Sequence, residues 1–188
     1  LGTPPLVMQN DPAYASTELC WKAWQAFKTD HPTFLSTITG VQTEVSDGEV
    51  VGHPDLEMTE PARSELLYPE VPHVPSLPLY RTLPGRWGIV DIKTSKAIQP
   101  KAWTQTAKYL QLKYADHPEW KPSSQHFIAI LRLDKITGRY EYKEITDEAT
   151  IQYEVKVFDA YLTAYQHGQK IKDVMRQLAE TEAYDGVS

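Results

Sequence analysis

The first periodic pattern along the chain runs from Ser16 to about Thr29, where apolar residues recur every three or four positions. The residues of this stripe are Leu19, Ala23, Ala26 and Phe27. Such spacing places them on one face of a helix, for which Ser16 or Thr17 supplies the N-cap and the His-Pro step at 31–32 the end. Residues 1–13 are rich in proline and polar residues, which predicts an irregular lead-in.

Two short strand-like segments follow, near residues 40–46 and 49–58. The Ser-Asp-Gly sequence at 46–48 is a strong turn signal, so we predict a hairpin. Residues 61–86 then contain six prolines, too many for a regular element, and too many leucine and aromatic residues for a purely flexible linker. We interpret this segment as an ordered, extended insert, which either covers a site or is a surface excursion without function.

An apolar, β-branched stretch at 87–94 predicts the central strand of the core. Pro100 can begin a helix after it, because proline fits the first helical turn. The core-facing residues of that helix recur at helical spacing and are Trp103, Ala107, Leu110 and Tyr114. The pattern therefore predicts a strand and then a helix that packs on the core.

A second hairpin is predicted around the Lys-Ile-Thr-Gly turn at 135–138. Thr146 or Asp147 then caps a helix that Gly168 closes, and residues 171–188 form an amphipathic tail that docks on the core or on a partner. The resulting order, αββ(insert)βαββα, predicts an α/β domain with a mixed central sheet flanked by helices.

Composition narrows the class of protein. The 188 residues fit one domain with a sizeable core, and no apolar run approaches the roughly 20 residues of a membrane span. Cys20 is the only cysteine, so one chain cannot build a disulfide framework or a cysteine-ligated cluster, and we expect a reducing, intracellular setting. The chain begins at Leu1 without a signal-peptide pattern, which we interpret as a processed or excised fragment.

The net charge of −6 argues against a protein that coats nucleic acid with bulk positive charge. The segment 91–113 differs, because it has one acid and a local charge of +4. Its five lysines are Lys93, Lys96, Lys101, Lys108 and Lys113. A basic patch on an acidic body suits local contact with a polyanion, and lysines on a solvated helix face are the alternative.

The sequence Asp-Ile-Lys at 91–93 is the strongest chemical signal in the chain. Four acid-x-Lys tripeptides occur, but only this one ends an apolar strand, follows a second aspartate, Asp55, and precedes Gln105 and Tyr109 on one helix face. Hard ions such as Mg²⁺ or Mn²⁺ take oxygen ligands, usually one or two carboxylates with waters and a substrate phosphate. The set therefore indicates metal-assisted phosphodiester hydrolysis.

Each member of this set has a distinct expected role. Asp55 and Asp91 can supply the carboxylates. Lys93 can orient or deprotonate the attacking water and offset the charge of the transition state. Without a cation the two carboxylates repel each other, so we expect one of their pKa values to rise.

These motifs resemble the PD-(D/E)xK nuclease superfamily, and within it the RecB-type or phage-exonuclease-like branch. In chain order, the motifs are an acid on the first strand (Glu44), Gly-x-x-Asp (52–55), Asp-x-Lys-Thr (91–94) and Gln-x-x-x-Tyr (105–109). The resemblance covers residues 14–170, including the insert at 61–86, and leaves 171–188 as a tail. It implies a restriction-endonuclease-like fold, a mixed central sheet flanked by helices.

The resemblance implies a Mg²⁺- or Mn²⁺-dependent deoxyribonuclease, an exonuclease of DNA recombination, repair or replication in the cytoplasm of a bacterium or a phage-infected cell. The implied metal ligands are Asp55, Asp91, the backbone carbonyl of Ile92, and Glu44. Catalysis is implied for Asp55, Asp91 and Lys93. The side chains assigned to DNA are Gln105 and Tyr109 from the resemblance, with Lys96, Lys101 and Lys108 from the basic patch.

Alternatives from other classes stay open at this point. A non-cleaving nucleic-acid-binding or assembly module would keep the fold without turnover, and a sequence-specific endonuclease would need a recognition element, for which only the insert is available. Asp91 and Lys93 would then form a solvated ion pair at a strand end. We expect DNA as the partner, no membrane, and either a homo-oligomer or a fused or associated helicase or recombination protein.

Overall fold

The described part of the chain is built around strands on both sides of the predicted insert. The computed structural model describes residues 12–66, 80–117 and 119–185. Within these ranges the helices are α1 (Pro12–Asp30), α2 (Pro100–Leu112) and α3 (Glu148–Asp185). The strands are β1 (Ile38–Val41), β2 (Val45–Ser46), β3 (Val51–Gly52), β4 (Leu56–Glu60), β5 (Arg63–Leu66), β6 (Tyr80–Leu83), β7 (Arg86–Lys93), β8 (His126–Leu133) and β9 (Tyr140–Ile145). A 3₁₀ turn, Phe34–Thr37, joins α1 to β1.

Five strands form one mixed sheet in the order β1-β4-β7-β8-β9. In this sheet β7 and β8 run parallel, and the other neighbours are antiparallel. A parallel pair needs a crossover connection, and α2 lies within it. The described residues therefore form a mixed α/β fold with a mostly antiparallel sheet, and β7 lies at its centre.

Helices cover both faces of the sheet. On one face, Phe27 of α1 is fully buried in a core that includes Val90 of β7. On the other face, Ile89 of β7 lies in a core with Leu110 of α2 and Ile151 of α3. The alternation between Ile89 and Val90 thus assigns each position of β7 to one face.

This alternation also fixes the face on which the candidate site lies. Asp91 and Lys93 share the face of Ile89, because side chains on a strand alternate with period two. That face is covered by α2, which contains Gln105 and Tyr109. The strand-then-helix prediction for 87–114 is confirmed, with Pro100 in the first turn of α2.

The first helix begins earlier than its sequence pattern predicts. α1 starts at Pro12, so Ser16 and Thr17 lie inside the helix and the N-cap prediction is wrong. Proline at the first helical position loses no intrahelical hydrogen bond, and the Ala-Tyr-Ala sequence that follows continues the turn. The predicted lead-in at 1–13 falls mostly outside the described residues.

The predicted hairpin at 40–58 divides between two sheets. Its turn forms as expected, with Gly48 at φ +88° and the Asp47 carboxylate accepting from the backbone of Glu49 and Val50. The short β2–β3 ladder ends near Pro54, which cannot donate a ladder hydrogen bond. The outer strands, β1 and β4, pair separately in the central sheet.

The insert begins and ends as a regular strand pair, which corrects the prediction of a loop without regular elements. β5 and β6 are antiparallel, and Arg63 pairs with Leu83. Residues 67–79 lie outside the described residues. The second hairpin, β8–β9, is confirmed, with Gly138 at φ +67° in its turn.

The last helix does not end at Gly168. Asp147 caps it as predicted, since its carboxylate accepts from the backbone N–H of Thr150 at 2.8 Å. Beyond Gly168 the helix continues to Asp185, so the predicted tail at 171–188 is largely the end of α3. A glycine inside a helix costs only about 1 kcal/mol, and the helix-forming residues after it override that cost. No helix in the described part of the chain has the length and apolar character that a membrane crossing requires.

Substitution of Gly168 with alanine tests the continuity of α3. Apart from the adjacent residues and backbone of the helix itself, no atom of the described residues lies within 4 Å of the position that a Cβ would take. Gly168→Ala should therefore increase helicity by circular dichroism and stabilise the helix by roughly 0.5–1 kcal/mol. Gly138→Ala is the matched contrast, because the φ of Gly138 is +67°, which strains an alanine, and a Cβ at this position would lie 3.1 Å from the Leu19 side chain. Loss of helicity in Gly168→Ala would mean that the helix ends there.

Candidate active site

The two aspartates predicted as a pair lie side by side at one edge of the sheet. Leu56 pairs with Val90 in the β4–β7 ladder, and Asp55 immediately precedes β4. Asp55 is therefore the neighbour of Asp91 across the strands. The geometry agrees with this placement, because the Asp55 carboxylate accepts a 2.7 Å hydrogen bond from the backbone N–H of Ile92.

Asp91 is a buried carboxylate with an ammonium beside it. Its exposed fraction is 3%, and Lys93 Nζ lies 2.7 Å from its Oδ2. The ammonium contacts this oxygen as an ion pair, although the direction of the contact is not that of a regular hydrogen bond. In the protein alone, the cation beside this buried oxygen is therefore the ammonium of Lys93.

Burial raises the pKa of Asp91 from 3.8 to about 6. Lys93 opposes the increase, whereas the negative charge of Asp55 and its contact with Asp91 add to it. A raised pKa was expected from the repulsion of the two carboxylates; the pKa is raised, but burial contributes more to it than Asp55 does. Ionisation of Asp91 beside Asp55 is therefore unfavourable in the protein alone.

Lys93 is held between the carboxylate and α2. Its Nζ lies 3.4 Å from Gln105 Oε1, and Gln105 Nε2 donates to the Tyr109 hydroxyl at 2.5 Å. The Tyr109 ring in turn packs against Gly52, where a Cβ would lie 2.2 Å from a ring carbon. Only glycine at this position lets β3 approach α2 so closely. A continuous set of contacts thus joins Asp91 to Tyr109.

The remaining predicted residues do not join this set. Glu44 is exposed in the connection between β1 and β2, not on the first strand as the resemblance implies. Lys96 and Lys101 are exposed, near the end of β7 and the start of α2. Arg132 donates to the Lys96 carbonyl at 3.2 Å, which fixes the connection after β7.

Lys108, which the sequence assigns to DNA contact, is paired with acids inside the protein. Its side chain is 8% exposed and lies 3.0 Å from an Asp159 oxygen and 3.5 Å from an Asp47 oxygen. It also donates to Gln111 at 2.9 Å. A buried lysine neutralised by two carboxylates has no free charge for a phosphate, and it instead connects the β2–β3 turn, α2 and α3.

Sequence reasoning missed Glu57, a third carboxylate on the same face. It lies between Leu56 and Met58 on β4, is 5% exposed, and both of its oxygens contact Lys113 Nζ, at 2.8 and 2.9 Å. The Thr43 hydroxyl also donates to it. The available signal was an acid between two apolar residues of a strand. Side chains alternate along a strand, so Glu57 faces the side opposite to Leu56 and Met58, and both sides of a central strand are buried.

The protein's own oxygen ligands at this site would fill only part of the coordination shell of a hard divalent cation. Among the residues that the structure describes, no three His, Cys, Asp or Glu side chains converge on one point. Asp55 and Asp91 provide two adjacent carboxylates, and Mg²⁺ commonly binds through one or two carboxylates and waters. The residues present therefore fit such an ion.

A separate cleft of about 490 Å³ lies at the other end of the sheet, between the end of α1, the 3₁₀ turn and β9. Its acids Glu60 and Glu144 are bridged by Arg86, at 2.8 and 2.5 Å. These acids are already matched by a guanidinium, unlike Asp55 and Asp91. We therefore place the candidate active site at the aspartate pair.

Comparison with models of known protein families gives no match for this chain, and a search of characterised proteins finds no significant similarity. The geometry of the chain's own residues is therefore the basis for its proposed function.

The raised pKa of Asp91 predicts that this residue destabilises the metal-free protein at neutral pH. A carboxyl whose pKa rises on folding lowers stability above that pKa, and the penalty fades as the pH falls from about 6 to 4. The raised pKa corresponds to a penalty of roughly 3 kcal/mol, which Asp91→Asn removes. The substitution also loses the ion pair with Lys93, so the net gain is smaller. We expect Asp91→Asn to be more stable than wild type by about 1–2 kcal/mol at pH 7 in EDTA, measured by urea unfolding.

The exposed Asp116→Asn substitution is the matched control, because it removes the same charge from the surface. The gain in Asp91→Asn should disappear near pH 4, and a variant less stable than wild type at pH 7 would contradict the assigned electrostatics.

Proposed function

We propose that this chain is a Mg²⁺- or Mn²⁺-dependent DNA nuclease of the PD-(D/E)xK superfamily, RecB-type or phage-exonuclease-like branch, that hydrolyses phosphodiester bonds from DNA ends. The observation that supports this proposal best is the pairing of Asp55 with Asp91 beside Lys93, at one edge of the central sheet. Recombination, repair and replication are the processes that require such an activity.

Asp55, Asp91 and the Ile92 carbonyl are the groups that would hold the ion. The ion, when bound, polarises a phosphoryl oxygen and offsets the charge that develops during displacement at phosphorus. The Asp55 carboxylate is already oriented by the Ile92 N–H, so the chain holds it towards β7 before any ligand arrives. This preorganisation avoids rearrangement during the reaction.

Lys93 has two proposed roles: it orients the attacking water, and it stabilises the negative charge of the transition state. Its side chain is 30% exposed, so its ammonium can reach a substrate although Asp91 lies 2.7 Å away. When the water oxygen bonds to phosphorus it loses a proton to solvent, the ester P–O bond breaks, and the leaving oxygen takes up a proton from solvent to become a hydroxyl. Lys93 stabilises the negative charge on the phosphoryl oxygens during that step.

The other contacts would position DNA. Gln105 and Tyr109 lie beside Lys93 and offer an amide and a phenol that can hydrogen-bond a phosphate or a base. Lys96 and Lys101 are exposed near the same edge and can neutralise phosphates. Since Lys108 is paired internally, this basic footprint is small, and the affinity for DNA should decrease only gradually with salt.

Substitution of Lys93 separates catalysis from ion binding. Lys93→Met should bind Mn²⁺ with nearly unchanged affinity by calorimetry, while single-turnover cleavage falls by about 10² or more, because the lysine acts mainly in the transition state. Asp91→Asn should lose both properties, because it removes a charged ligand. Cleavage by both variants at the wild-type rate would refute the assignment.

The β9 strand offers a matched control for this experiment. Lys143 lies 2.8 Å from Glu141 in the same acid-x-Lys arrangement, but its side chain is 59% exposed and lies on another strand. Lys143→Met should cleave like wild type. If the wild-type protein binds DNA and cuts none with either ion, the non-cleaving binding module replaces the nuclease.

A further inference from the structure

Glu57 adds a third carboxylate to the face that contains Asp55 and Asp91. It pairs with Ile89 in the β4–β7 ladder, and Ile89 and Asp91 lie on the same face two positions apart. Residues diagonal to each other on neighbouring strands lie roughly 7–8 Å apart at their Cα atoms. Glu57 is therefore a neighbour of the candidate ion site, although it does not converge with the aspartates.

The Glu57 carboxylate is already fully engaged. Lys113 Nζ lies 2.8 Å from one oxygen and 2.9 Å from the other, and the Thr43 hydroxyl donates to the first. Lys113 directly follows α2, where the carbonyl end of the helix favours a cation. Its side chain is 38% exposed, so the ammonium reaches Glu57 from the solvent side.

A third carboxylate near the aspartates bears on how many ions the site can hold. Two-metal hydrolases hold their ions about 3.5–4 Å apart with carboxylates around them. In this chain the cation beside the third carboxylate is an ammonium, which is fixed by the fold and does not exchange. A divalent ion that bound Glu57 would first have to displace Lys113.

We propose that Lys113 takes the place of a second metal ion, so that the site accepts a single exchangeable divalent cation. This inference rests on the proposed function, because it assumes an ion at Asp55 and Asp91. It assigns Lys113 as a positioning residue that sets the ion stoichiometry. An ordinary structural ion pair would contribute to stability and would leave that stoichiometry unchanged.

The test is a Mn²⁺ titration by calorimetry on the full chain. Wild type should bind one Mn²⁺ per chain, and Lys113→Met should bind two, because Glu57 is then free to hold an ion with the Thr43 hydroxyl and waters. Lys113→Arg keeps the cation and should bind one. The double variant Glu57→Gln/Lys113→Met removes both charges and should also bind one.

Thermal melting gives a second readout that does not depend on activity. In EDTA, Lys113→Met leaves a buried carboxylate without its partner and should melt below wild type, whereas the double variant should melt closer to it. The second equivalent of Mn²⁺ should raise the melting temperature of Lys113→Met further than the first alone. If Lys113→Met folds only when Mn²⁺ is present and then holds two ions, the proposal is equally supported.

Each other outcome is decisive. One Mn²⁺ in Lys113→Met, or a variant that stays unfolded in Mn²⁺ while the double variant folds, overturns the role of Lys113 and leaves the nuclease proposal intact. Two Mn²⁺ in wild type also overturns it. No Mn²⁺ in wild type rejects the ion site itself, and with it the proposed function.

Discussion

The register of β4 against β7 is the constraint on which the candidate site depends. Leu56 pairs with Val90, which leaves Asp55 beside Asp91 where the ladder ends. A slip of one residue would turn one strand's side chains to the opposite face and separate the two carboxylates. Apolar residues on both faces of β7 resist such a slip, because each face has its own core. Hydrophobic burial therefore holds two like charges together.

Three lysines of one segment show how the fold distributes positive charge. Lys93 neutralises Asp91 and remains partly accessible, Lys108 is enclosed between acids of a turn and of α3, and Lys113 is bound to Glu57. Most of the positive charge of residues 91–113 is thus neutralised by ion pairs within the protein. Lys96 and Lys101 are exposed and form no ion pair with any acid in the described part of the chain, and two such lysines give only a small positive surface near the site.

Local patterns predicted the elements that position the site. The apolar run of β7, the proline that begins α2 and the turn between β8 and β9 depend on neighbours in sequence, so period and turn chemistry sufficed. The pairing of Asp55 and Asp91 was expected from their motifs, and the fold brings them together. Their roles as ligands stay a prediction.

Long-range contacts account for two ion pairs that the sequence could not predict, and element boundaries account for two other errors. Glu57 and Lys113 are 56 residues apart, and Lys108 and Asp159 are 51 apart, so no local pattern joins either pair. Gly168 has the composition of a helix end, yet the helix continues, because the residues after it also favour helix. Glu44 matched a motif position but lies in a connection, since the first strand ends at Val41.

Cleavage of DNA by the wild-type chain is the measurement that tests the central claim most directly. Linear and covalently closed DNA, each single- and double-stranded, would be incubated with Mg²⁺, Mn²⁺ or EDTA and resolved on gels. We expect linear DNA to shorten from its ends with either ion, closed circles to stay intact, and no cleavage in EDTA. Intact DNA under every condition, or equal cleavage in EDTA, would contradict a metal-dependent nuclease built on Asp55 and Asp91.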